Sequence, residues 1–179
     1  MQKDELQKEL EKFRDFVIRE ARSNLTRDKK NVTKGLYESL NGNVKAMQNS
    51  FSMEFEMSDY GNFQDKGVKG KTSSTKAPNS PYKFGTGSGE KGGLTKGIQQ
   101  WVAKKGIQFN DKKTGRFLSY NSTAFLITRS IYNKGIKPSL FFTRPFELAY
   151  KKLPENLIEI FGLEVEKLFK NTQYKNEKK

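Results

Sequence analysis

The sequence predicts an α+β fold: a long N-terminal amphipathic helix, a small antiparallel sheet packed by helices, a long basic loop and a C-terminal helix. Three observations carry that assignment. Leu6, Leu10, Phe13, Val17, Ala21 and Leu25 recur every three or four residues, which draws one apolar stripe along a helix over 3–25. Phe51, Met53, Phe55 and Met57 alternate with Ser52, Glu54, Glu56 and Ser58, the period-2 pattern of a strand with one buried face, here within 47–57. Leu157, Ile160, Phe161, Val165, Leu168 and Phe169 form a second helical stripe, opened by Pro154.

The remaining elements follow in order. Leu36 and Leu40 stand four apart in a short helix that Asn41-Gly42 should end. Residues 66–93 are poor in large apolar groups and read as a long flexible loop or arm. Leu94, Ile98, Trp101 and Val102 share one side of a helix stopped at Gly106. A hairpin of two short strands is expected around 111–115, followed by a helix over 122–135 with Ser122 as N-cap and Gly135 as its stop. The run IKPSLFF then leads to a helix with Pro145 at its first position, and 171–179 form a basic tail. The chain reads as a single domain over 1–179, with 94–135 as a helix–hairpin–helix insertion. Its 34% apolar content and mean hydropathy of -0.84 imply a small core with long arms.

Composition narrows the chemistry. Zero cysteine removes disulfides, thiolate nucleophiles and cysteine-based zinc sites. Zero histidine removes the commonest general base and the commonest transition-metal ligand. Asp59, Asp65 and Asp111 are dispersed, with no spacing that argues for acid–base or metal work, so no catalysis, cofactor or metal is expected. The stretch from Gly87 to Gly92 fits the dinucleotide fingerprint formally, with Asp111 about where a ribose acid would stand. A Pro/Ser/Lys linker precedes it in place of a buried strand, so it is not read as a nucleotide site. No apolar run reaches the roughly 18–20 residues of a membrane span, and the first residues lack the apolar core of a signal peptide, so no membrane association is expected.

The formal charge of +14 is uneven. Residues 1–59 carry 11 Lys/Arg against 11 Asp/Glu, whereas 60–118 carry 12 against 3, a net of +9. Such an excess in one segment anticipates a polyanion close by, either nucleic acid or an acidic protein neighbour.

Three short motifs carry a family resemblance: VTKGLYESL over 32–40, YGNFQDKGVKG over 60–70 and FFTRPFELA over 141–149. In this order, after an N-terminal amphipathic helix, they resemble the head–tail joining proteins of tailed bacteriophages, the neck and tail-completion family. The intervening segment is similar to the type found in crAss-like phages of gut Bacteroidetes. The segment after Gly70 is longer than in that pattern, and Arg144 stands where the pattern has a small or apolar residue. The resemblance implies a structural virion protein, made in the host cytoplasm, whose copies form a ring beneath the portal and join head to tail. Its partners would be further copies of itself, portal or connector and tail proteins, with non-specific DNA contact in the channel.

On this reading Lys66, Lys69, Lys71 and Lys76 lie on an assembly arm that faces a neighbouring subunit or a polyanion. Tyr60 anchors the end of the sheet, Gly67 and Gly70 let the chain turn sharply, and Pro145 and Phe146 set the entry angle of the terminal helix. The alternative is a nucleic-acid-binding protein, whose lysines interleave with Tyr82, Phe84, Trp101, Phe109 and Phe117 to neutralise phosphates and stack on bases.

Overall fold

The computed structural model describes residues 3–28, 34–47, 50–86 and 93–153; the expected helix over 154–169 and the tail 171–179 lie outside them. The order of elements is α1 (Lys3–Arg27), α2 (Gly35–Ser39), β1 (Asn41–Ala46), β2 (Phe51–Glu56), α3 (Tyr60–Lys66), β3 (Val68–Lys69), α4 (Gly93–Lys105), α5 (Tyr120–Lys134), β4 (Gly135–Ile136) and α6 (Thr143–Tyr150). The fold is α+β, but the expected single domain resolves into two compact units, one of residues 1–61 and 140–179 and one of residues 62–139. The second unit interrupts the first in sequence. It takes in the expected loop as well as the 94–135 segment, whose C-terminal end is bonded to residues 69–72 through Tyr132, Asn133 and Gly135.

In the first unit, all six residues of the α1 stripe are buried. Phe13, Val17, Ala21 and Leu25 join Leu36, Leu40, Phe141, Phe142, Phe146, Ala149 and Leu153 in one cluster, while Leu6 and Leu10 pack with Ala46. Phe146 sits at the centre of an aromatic group: its ring meets Phe13 edge-on at 5.3 Å and Phe55 at 6.0 Å. Aromatic pairs in this geometry add to the stabilisation from burial alone. Pro145 is fully buried and is the third residue of α6, not the first; a missing N–H costs nothing anywhere in the first turn.

The sheet of this unit corrects the expected helix stop at Asn41-Gly42. The helix ends at Ser39, and 41–46 form β1, antiparallel to β2 with Gly42 opposite Phe55 and Val44 opposite Met53. A β-carbon on Gly42 would stand 2.9 Å from Arg14 Cγ and 3.0 Å from Phe55, so glycine is needed where the strand passes between them. The Gln7 side chain ties β1 to α1, donating to the Val44 carbonyl at 3.2 Å and accepting from the Ala46 amide at 2.8 Å. Strand β2 keeps the expected alternation: Phe51, Met53 and Phe55 are half-buried, and Ser52, Glu54 and Glu56 are exposed.

In the second unit, the expected flexible arm over 66–93 meets a bonded segment through residue 86. Lys69 pairs with Gly135 in the β3–β4 ladder and, on its other side, its amide donates to the Tyr82 carbonyl at 2.8 Å and its carbonyl accepts from the Phe84 amide at 2.9 Å. The Lys71 amide reaches the Tyr132 carbonyl at 2.8 Å. Buried Ser80 donates through Oγ to the Gly67 carbonyl at 2.7 Å and accepts from the Tyr82 amide at 3.1 Å. Polar side chains and backbone thus do the work that apolar burial does elsewhere, which is why the segment looked unstructured by hydropathy. Helices α4 and α5 pack together around Val102, Thr123 and Ala124. Gly106 and Gly135, with φ of 63° and 83°, end them as expected. The N-cap of α5 is Ser119 in place of Ser122: its Oγ accepts from the Ser122 amide at 3.1 Å. The expected hairpin reduces to a tight turn closed by one antiparallel bridge, Asn110 with Phe117.

Candidate functional site

The residues singled out by the motifs serve different ends. Tyr60 opens α3 and is 49% exposed, so it does not anchor the sheet. Gly67 has a φ of 70°, and a β-carbon there would lie 2.5 Å from the Ile136 carbonyl oxygen. Gly70 has no positive φ; it is required because a β-carbon would stand 2.0 Å from the Asn133 carbonyl oxygen. Both glycines let β3 approach the 133–138 backbone. They are structural, and so are buried Pro145 and Phe146.

The four lysines of the expected arm do not share one surface state. Lys66 and Lys69 are half-buried, while Lys71 and Lys76 are exposed. Burial holds the Lys66 ammonium below the usual lysine range, with the Asp65 carboxylate working the other way. The Lys71 ammonium lies 5.8 Å from the centre of the Tyr132 ring, a cation–π contact within its own unit. Tyr82 and Phe84 are not free stacking platforms: Tyr82 meets Phe63 edge-on at 4.7 Å, and Phe84 lies 5.6 Å from Tyr132.

The sharper basic feature lies elsewhere, in residues 104–116. Lys104 and Lys105 close α4, and Lys112, Lys113 and Arg116 follow on the turn; all five are exposed. The backbone there is tightly specified. The Asp111 amide donates to the Arg116 carbonyl, and the Gly115 amide to the Asp111 carbonyl, each at 2.8 Å; the Leu118 amide reaches the Phe109 carbonyl at 2.8 Å. Buried Thr123 on α5 accepts the Phe109 amide through Oγ1 at 3.2 Å, mounting the turn on the helix. Asp111, the single acid of the stretch, spends one carboxylate oxygen on the Lys113 and Thr114 amides at 2.8 and 2.9 Å. Those backbone donors, Thr114 first, hold its carboxyl below the usual aspartate range.

Charge separates the two units. The unit of residues 62–139 carries 15 Lys/Arg against 3 Asp/Glu, a net of +12, which leaves +2 for the other. Of those three acids, Asp65 is buried, Asp111 caps the turn and Glu90 lies outside the described residues. Among the described residues, the ion pairs found, Lys12–Glu9, Arg14–Asp15, Arg19–Glu20 and Arg27–Asp28, all belong to α1 and its end. Of the arginines that line the open groove beside α1, Arg14, Arg19 and Arg27 therefore have acidic partners. The fourth, Arg22, donates to the Tyr37 and Leu40 carbonyls at 3.1 and 2.9 Å and serves packing. The cations of 104–116 have no such partner among the described residues. The sequence signal for this cluster was present in KK and DKKTGR, but equal density over 66–76 hid it.

The same unit also exposes large apolar side chains. Phe117 on the turn is 70% exposed, and Phe125 and Leu126 on α5 are 59% and 42% exposed. Consecutive helical residues point about 100° apart, so Phe125 and Leu126 flank Arg129 on the outer side of α5, opposite buried Thr123 and Ala124.

Among the described residues, no group of three or more Asp, Glu, His or Cys comes together to hold a metal ion, and no helix is long and apolar enough to cross a membrane. No family model, no curated protein and no solved structure matches the chain.

Proposed function

We propose that this chain is a structural subunit of a tailed-phage virion, assembling as an oligomeric ring that joins the head to the tail. The observation that carries the reading is the outer face of α5, where Phe125 and Leu126 stand in water beside Arg129. Exposed apolar and aromatic side chains beside arginine are the composition of protein–protein contacts, not of a solvated helix face. The order of the three motifs supports the same reading. The neighbours of the ring are the portal or connector on one side and a tail protein on the other. Catalysis, metal and cofactor have no part in it, and the site of action is the neck of the particle.

The test is assembly of the purified protein across concentration, read by sedimentation velocity and negative-stain imaging. Rings are expected to accumulate with concentration. Phe125→Asp with Leu126→Asp should abolish them while leaving the monomer's melting temperature nearly unchanged, because both side chains are already exposed. A wild-type chain that stays monomeric at every concentration, or a double variant that still closes rings, would overturn the proposal.

A further inference from the structure

We infer that the turn of residues 109–117, together with the end of α4, is a sequence-independent contact for the phosphate backbone of duplex DNA. Three observations converge on it. Lys104, Lys105, Lys112, Lys113 and Arg116 are all exposed and, among the described residues, lack a carboxylate partner. Asp111, the one acid of the stretch, bonds the Lys113 and Thr114 amides of its own turn and forms no ion pair with these cations. The backbone that carries them is held by the 109–118 and 111–116 hydrogen bonds and by Thr123, so little ordering remains to be done when a ligand arrives.

The chemistry of the patch selects the partner. Five cations against a single carboxylate, Asp111, match a uniformly charged polymer, whereas a protein neighbour is recognised by charges of both signs interspersed. Lysine is depleted at protein–protein contacts, and four of these five cations are lysine. Charge-only recognition also gains more from a duplex than from a single strand. Each neutralised phosphate releases about 0.9 counterion from duplex DNA against about 0.7 from a single strand. The α5 face and the basic turn belong to one unit; the turn exposes Phe109 and Phe117 beside its cations, and the phosphate contact is assigned to the cations. The inference stands independently of ring formation, since the DNA contact belongs to a single copy of the chain.

The experiment is fluorescence anisotropy of the full chain against a labelled random-sequence duplex, over a salt series and below the concentration at which the chain self-associates. Wild type should bind, and the logarithm of its affinity should fall linearly with the logarithm of salt. Lys112→Gln, Lys113→Gln and Arg116→Gln combined should reduce that slope by about 2.7, close to 0.9 for each lost contact, and weaken binding at least about 10-fold at physiological salt. Lys104→Gln with Lys105→Gln should reduce it by about 1.8. The matched control Lys71→Gln, Lys76→Gln and Lys83→Gln should leave the slope close to wild type, and near-ultraviolet circular dichroism should be unchanged in all three variants. Four results would overturn the inference: no duplex binding by wild type at low salt; an equal loss in the control; tighter binding to a single strand that Phe117→Ala removes; or tighter, turn-dependent binding to poly-glutamate, which would make the partner an acidic protein.

Discussion

The α-carbon of Gly70 lies so close to Asn133 that a methyl group on it would stand 2.0 Å from the Asn133 carbonyl oxygen. That approach lets the Lys71 amide reach the Tyr132 carbonyl and the Thr72 amide reach the Asn133 carbonyl, and it seats β3 against β4. Gly70→Ala should therefore open the β3–β4 junction. The cost is at least the about 1–3 kcal/mol of overpacking, since the obstacle is backbone and cannot rotate away. Denaturant unfolding combined with hydrogen exchange should show the loss at the Lys71 and Thr72 amides first. A variant with wild-type exchange at those amides would refute the close approach.

Phe146→Ala should be severe in the other unit. The ring is 5% exposed and meets Phe13, Phe55 and Phe142, so its removal leaves a cavity in the aromatic centre. A loss of about 3–5 kcal/mol is expected by chemical denaturation. A loss under about 1 kcal/mol would mean that the site collapses without penalty.

Ser80→Ala tests whether polar bonding holds the 67–86 segment. The buried hydroxyl donates to the Gly67 carbonyl and accepts from the Tyr82 amide, so its loss strands two backbone groups. The expected cost is about 1–3 kcal/mol, with protease sensitivity appearing within 70–86. If cleavage there is no faster than in wild type, the hydroxyl is not what orders the segment.

Two groups make stability rise with pH, in different windows. Asp111 titrates below its unfolded value near 3.9, so the unfolded chain holds the proton more tightly. Its contribution is full above that value and is lost as pH falls through the lower, folded value; carboxyl NMR should place the midpoint below 3.9. Lys66 is also lowered, by burial, so between its folded value and about 10.4 the unfolded chain again binds more protons. For this cation that means stability rises with pH across the window, and the charged side chain is a cost below it. Lys66→Met should raise the melting temperature at neutral pH and flatten the alkaline rise. A lower melting temperature would show that the ammonium has a stabilising partner.

Periodicity alone placed α1: the spacing of Leu6 through Leu25 defines which face is covered, whatever covers it, and all six side chains are buried. The alternation of β2 and the stops at Gly106 and Gly135 were legible for the same reason, since each is a property of neighbouring residues. Strand β1 was not, because its inward residues, Gly42, Val44 and Ala46, carry too little apolar bulk to show a period. Its strand identity comes from pairing with β2 and from the Gln7 side chain, 39 residues away from Ala46. Helix α3 and the 67–86 segment were missed likewise, the latter being built on bonds between residues far apart in sequence, such as Lys71 with Tyr132.

The basic surface divides in the same way. Composition set a large positive excess in the middle of the chain, but the lysines it pointed to first, Lys66 and Lys69, are half-buried. Burial and counterions depend on what packs nearby, and only the folded backbone turns the Asp111 carboxylate onto the Lys113 and Thr114 amides. Held on those amides, Asp111 forms no ion pair with Lys112, Lys113 or Arg116, whose side chains are exposed on a turn that the Thr123 hydroxyl mounts on α5.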